Sequence, residues 1–213
     1  VGVGIDEHEH AGVGDMLGKR LGIDVFVGTS AQCAAYGERH LNEKVEDDDI
    51  LYVHADLGRA VVIKGGRCFS PDGLSEPAPG SGQAGNGFSD DLKYLRPWDT
   101  KLGVVAAARL EVERGVGTKI VGASNGNADG ISVAAVIEAA RKDDKVASDI
   151  LRNAGTNLGV RVAYLINVFA PRTVVIGGGI ELAGELMLGP LRSTVNRFSF
   201  TRQASRVGSS TGT

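Results

Sequence analysis

The sequence predicts an α/β fold, and three features carry that prediction. Short apolar, β-branched runs gather between Ile50 and Phe69, long helical patterns fill residues 102–169, and a strand running into Gly177-Gly178-Gly179 leads back into a helix. Within 213 residues, 42% hydrophobic side chains are ample for a buried core. Glycine is abundant at 31 residues and aromatics are scarce at 5%, as suits tight turns between α/β elements.

Taken in order, Val1-Gly2-Val3-Gly4-Ile5 reads as the end of a buried strand. Asp15 to Leu21 predicts a short helix stopped by Gly22, and Asp24 to Val27 a short strand. Ser30 is a good N-cap, and the Ala-rich pattern from Ala31 to Leu41 predicts a packed helix. Residues 43–49 form an acidic surface linker, where a lobe boundary is placed. Two strands follow, Ile50 to His54 and Arg59 to Lys64, with a Gly65-Gly66 hairpin turn before Arg67 to Phe69. Ser70 to Asp91, rich in Gly, Pro and Ser, reads as a long loop, a feature often tied to function. Helices are expected over Leu102–Arg114, Ile131–Lys142 and Lys145–Phe169, the last ending before Pro171 because the residue preceding proline disfavours helix. Thr173 to Ile176 is a buried strand, Gly177 to Gly179 a tight turn, and Leu182 to Val195 a helix. Residues 199–213 read as a polar tail, and no internal repeat is visible.

Several function classes are disfavoured at this stage. The net charge of −3 is mild, and no basic block resembles a nucleic-acid footprint. Cys33 and Cys68 are too few and too isolated for a disulfide framework or a zinc site. His8 and His10 sit in an acidic run that could chelate a metal, although a solvated loop is the better reading. Every apolar run is short, so neither a signal peptide nor a membrane span is expected, and a cytoplasmic protein is.

The chemistry-bearing feature is Val174-Val175-Ile176-Gly177-Gly178-Gly179-Ile180. A strand entering three glycines and then a helix lets a ligand approach the backbone, and a helix N-terminus favours negative charge. Packing alone calls for such a turn about as often as nucleotide binding does. Its context is more specific. Residues 157–184 resemble the C-terminal signature of the ROK (repressor, open reading frame, kinase) family, a helix reading "LG…A.LIN.FNP" followed by "VVIGGGI". Val133 to Leu151 resembles that family's "EAA..GD..A..IL" helix pair, with Asp143-Asp144 at the Gly-Asp position. Val25 to Glu38 resembles "V.V.NDANAAALGE", and Leu51 to Lys64 the strand pair that carries a Gly-Thr-Gly phosphate turn.

The resemblance spans about residues 20–200 and implies an actin-like (ribonuclease H-like) two-lobe sugar-kinase fold, mostly the second lobe with a partial first lobe. It implies residues 1–46 as a remnant of the N-terminal lobe and 47–198 as the C-terminal lobe, followed by the 199–213 tail. Nucleotide contacts are then implied at Gly58, Arg59, Gly177, Gly178 and Gly179, and sugar contacts at Thr29, Ser30, Asn86 and Ser89. For Arg59 a solvated surface arginine is an equally good reading, and for Asn86 and Ser89 a plain loop is the better one. In active members an aspartate opening the helix after "ND" takes the proton of the attacking sugar hydroxyl, and magnesium neutralises the phosphates of ATP.

This sequence departs from the pattern at the cleft. Ser30 occupies the general-base position and Thr29 the preceding Asn position. A hydroxyl does not act as a base at neutral pH, and general-base help contributes about 10²–10⁴-fold. The phosphate turn keeps Gly58 but has Ala60 for its second glycine, where a β-carbon blocks close approach. The family's "AGE.GH" loop reads Gly82 to Ser89 here, with Asn86 and Ser89 offered in place of its sugar-binding Glu and His. No cysteine-rich zinc loop occurs, so no structural zinc is expected. The upstream "D.G.T" strand pair and most of the C-terminal helix are not among these residues, which truncation and genuine loss explain equally well.

The expectation is therefore a sugar-sensing or regulatory ROK domain without catalysis, its partners a small sugar and a second copy of itself in a homodimer, with no direct nucleic-acid contact and no membrane. One alternative is an ATP- and Mg-dependent sugar kinase using a relocated base such as Asp56 or Asp24; another is a dimeric scaffold with a vestigial cleft.

Overall fold

The structure is a computed structural model and describes residues 10–25, 30–41, 49–55, 59–65, 67–69, 100–124, 130–200 and 207–209. Two helices come first, α1 (His10–Leu21) and α2 (Ser30–Leu41). Strands β1 (Asp49–His54), β2 (Arg59–Lys64) and β3 (Arg67–Phe69) follow, then helices α3 (Thr100–Glu113), α4 (Ile120–Ala123), α5 (Val133–Arg141) and α6 (Lys145–Phe169). Strand β4 (Thr173–Gly177), a 3₁₀ turn (Ile180–Ala183), α7 (Glu185–Phe198) and β5 (Val207–Ser209) complete the chain.

The strands form one five-stranded sheet in the order β3-β2-β1-β4-β5. The β1–β2 and β2–β3 pairs are antiparallel, while β1–β4 and β4–β5 are parallel. Both faces are covered, because alternate side chains of one strand point to opposite faces. Leu51, Val53, Val62, Val174 and Ile176 pack under the helical layer of α3, α5, α6 and α7. Ile50, Tyr52, Val61, Ile63 and Val175 face the other way, where Ala31 and Ala35 of α2 cover them. The expected lobe boundary falls within 42–48, outside the described residues, yet α2 on its N-terminal side packs on the sheet that follows it.

The helical layer is held by an unusually close pair. Helices α6 and α7, which precede and follow β4 in sequence, run parallel, and Gly155 and Gly159 of α6 bring the two backbones together. A β-carbon on Gly159 would stand 2.7 Å from Thr194 Cβ and 2.8 Å from the Leu191 carbonyl oxygen. At the start of α6, Asp144 caps the helix by accepting from the Ala147 amide at 2.8 Å. Ser132 caps α5 in the same way, accepting from Ala135 at 3.2 Å, which is why that helix begins at Val133 and not at Ile131.

Most expected elements are present, and the differences have physical reasons. The first helix begins at His10, five residues ahead of Asp15. Asp24 and Val25 belong to no strand, and the remainder of that expected strand, like Val1–Ile5 and the 70–91 loop, lies outside the described residues. The acidic segment stops short of Asp49, whose backbone opens β1. The helix expected from Leu182 divides into the 3₁₀ turn and α7 because Gly184 adopts φ +60° between them. Within the expected tail of residues 199–213, Val207–Ser209 form a strand that pairs in parallel with Val174–Ile176. Three residues are too few for a period to appear in sequence, and the pairing comes from the exposed edge of β4.

Candidate functional site

The parallel strands β1 and β4 end at the same edge of the sheet, where the antiparallel β2 begins. Register places Arg59 of β2 opposite His54 of β1, and His54 opposite Gly177 of β4, so the three form a row across adjacent strands. In open α/β sheets the crevice beyond the carboxyl ends of parallel strands is the usual ligand position.

The row is built from local chemistry. The Ala55 amide donates to the Gly177 carbonyl at 2.9 Å, extending the ladder past the end of β1. Tyr52 lies beneath Gly177, and a β-carbon on that glycine would collide with the tyrosine hydroxyl. The Tyr52 ring also meets His54 edge-on, with centroids 6.0 Å apart and an interplanar angle of 74°. Gly178 and Gly179 then turn the chain with φ of +96° and +87°, a left-handed backbone that side-chain-bearing residues rarely adopt. Ala60, next to Arg59, is 8% exposed and packs its methyl into the core under the helical layer.

Of the residues expected to contact nucleotide, Arg59, Gly177, Gly178 and Gly179 thus share one sheet edge, whereas Gly58 lies outside the described residues. Ser30 opens α2, and Thr29, Asn86 and Ser89 lie outside the described residues. Sequence reasoning missed Tyr52 and His54 at this edge; the signal available was their place at the end of the strand preceding the phosphate turn.

Among the described residues Asp144 is a buried carboxylate, 6% exposed, and it acts as a fastener. Besides the Ala147 amide it accepts from the Lys119 amide at 2.6 Å and the Thr118 hydroxyl at 3.1 Å. Burial pushes its pKa up, but the amides of Ala147 and Lys119, the Thr118 hydroxyl and the Lys119 charge outweigh burial and hold it below the ordinary aspartate range. No group of three or more His, Cys, Asp or Glu side chains that could hold a metal occurs among the described residues. Among them also, no helix is long and apolar enough to cross a membrane.

The sheet order, the two covered faces and the glycine turn at the carboxyl edge define a protein of the actin-like sugar-kinase fold. Solved structures agree: a ROK family glucokinase from Streptomyces griseus in complex with glucose and AMPPNP superposes with a TM-score of 0.67, at 24% identity over 92% of this chain and 66% of that one. Residues 113–208 match the model of the ROK family. It is 26% identical over 192 residues to the xylose repressor of Caldicellulosiruptor bescii, covering 87% of this chain and 47% of the repressor. It is 28% identical over 185 residues to a glucokinase of Thermotoga maritima, covering 85% of this chain and 58% of the enzyme. The chain thus spans about half the length of the curated relatives it matches.

Proposed function

We propose that this chain is the ligand-sensing part of a ROK regulator that binds a sugar without phosphorylating it. The observation that carries the reading is at the head of α2. That helix packs on the sheet as a structural element, and its first residue is Ser30, where the family motif places the aspartate base. Without a carboxylate there, a sugar hydroxyl has no acceptor for its proton at neutral pH. Ala60 supports the same reading, since its methyl is part of the core and a glycine phosphate turn is not retained at that place. Similarity to a xylose repressor favours a regulatory role, and Thr29, Ser30, Asn86 and Ser89 are the residues proposed to meet the sugar. The same reading makes the protein a cytoplasmic homodimer, which light scattering tests.

Titration calorimetry with pentoses, hexoses and N-acetylated amino sugars, with and without ATP and magnesium, tests the sensing role. Heat from one sugar is expected, together with no ADP release above background in a coupled assay. Absence of heat across the panel would count against sensing. Turnover would restore the kinase alternative with a relocated base, which the 28% identity to a glucokinase favours.

A further inference from the structure

We propose that the 3₁₀ turn Ile180–Ala183 is a glycine-hinged latch at the carboxyl end of β4, and that Arg141 of α5 is the residue that holds it. The turn is bounded on one side by Gly178 and Gly179, with φ of +96° and +87°, and on the other by Gly184 with φ +60°. Glycines in the left-handed region on both sides let the segment between them pivot with little steric resistance. The described side chains of the turn differ in burial. Leu182 is 61% exposed, Ala183 at 8% is its buried residue among those whose exposure is described, and the Leu182 amide reaches the Gly179 carbonyl at a long 3.4 Å. Against this, the Arg141 guanidinium donates to the Leu182 carbonyl at 3.1 Å across 41 residues of sequence.

Arg141 is a positioning residue, since it acts on the candidate edge through the turn. It lies in the last turn of α5, two residues after Ala139 and next to Ala140, both buried in the helical core. Movement of the turn at the sheet edge therefore has a direct route into the α5–α6 layer. That this route reports sugar occupancy rests on the sensing role proposed above; the latch itself does not, and its test needs no ligand.

Residue-resolved amide exchange by NMR on the unliganded chain and on Arg141→Ala and Arg141→Lys provides that test. Loss of one charge-assisted hydrogen bond speeds exchange at Leu182 and Ala183 by about three- to tenfold in Arg141→Ala. Exchange at Val175 and Ile176 in the core of β4 stays unchanged, and Arg141→Lys, which keeps a donor, restores most of the protection. An unaltered Leu182 amide in Arg141→Ala, an acceleration shared equally with β4, or no restoration by lysine would each overturn the latch.

Discussion

Gly155 of α6 lies so close to Met187 of α7 that a β-carbon added to the glycine would overlap the Met187 carbonyl oxygen. The two helices share their backbones' van der Waals surfaces at this point and again at Gly159, one turn later. Because the opposing atoms are backbone or, at Thr194, a β-carbon fixed to it, none can rotate away.

Gly155→Ala and Gly159→Ala should therefore each destabilise the fold by about 2–3 kcal/mol, the cost of overpacking exceeding the gain in helix propensity. Gly37 in α2 supplies the control, since a β-carbon there meets nothing within 4 Å. Gly37→Ala should stabilise by about 0.5–1 kcal/mol. Urea denaturation of the three variants measures both signs.

Asp144 fastens two helix starts at once, so its removal should cost more than a simple cap. Asp144→Ala leaves the Ala147 and Lys119 amides without their acceptor, and a loss of about 2–4 kcal/mol is expected. The pH dependence has a definite sign. The folded pKa lies below the ordinary aspartate value, so between the two the unfolded chain binds more protons and stability rises with pH. The contribution is complete above the unfolded value of about 3.9 and is lost as pH falls through the folded one. Denaturation of wild type and Asp144→Asn between neutral and acidic pH should show their stability gap closing at the acid end.

Among the described residues, two other than glycine hold left-handed backbones, Asp143 with φ +59° and Ala170 with φ +45°. Ala170 closes α6, its amide donating to Ile166 at 2.8 Å, and a β-carbon disfavours this region, more at Ala170 than at Asp143 because aspartate tolerates it better. Ala170→Gly and Asp143→Gly should each stabilise by about 0.5–1 kcal/mol, because relief of the strained backbone exceeds the entropy gained by the unfolded chain. Thermal unfolding of the single and double variants checks this, and the two gains should add.

At the candidate edge, Gly177→Ala drives a methyl into the Tyr52 hydroxyl. We expect it to destabilise, and Tyr52→Phe in the same chain to recover part of the loss. A double-mutant cycle that came out strictly additive would show that the contact does not matter.

Much of the fold is legible in the sequence. The limits of α6 are, because Asp144 and Pro171 punctuate a long apolar period. The β2–β3 hairpin is too, from the Gly65-Gly66 turn signal between Arg59–Lys64 and Arg67–Phe69. Helix α4 is not, since its four residues are shorter than the window in which a period can be recognised. Nor is β5, whose partner β4 lies about thirty residues upstream. At the site, Gly177–Gly179 stand out as glycines following a strand, whereas the role of Tyr52 does not. A tyrosine in an apolar strand reads as core until the strand beside it is known.

By itself the sequence determined the α/β class, the family signature over the C-terminal half and the absence of a carboxylate at the head of α2. These are local matters of side-chain type, period and order along the chain. Only the tertiary structure decided that Arg59, His54 and Gly177 stand in one row, that Gly155 and Gly159 face α7, and that Arg141 reaches the turn after β4. Each of these joins residues distant in sequence through strand register or helix approach. Such geometry depends on how two elements pack against each other, which neither of them encodes alone.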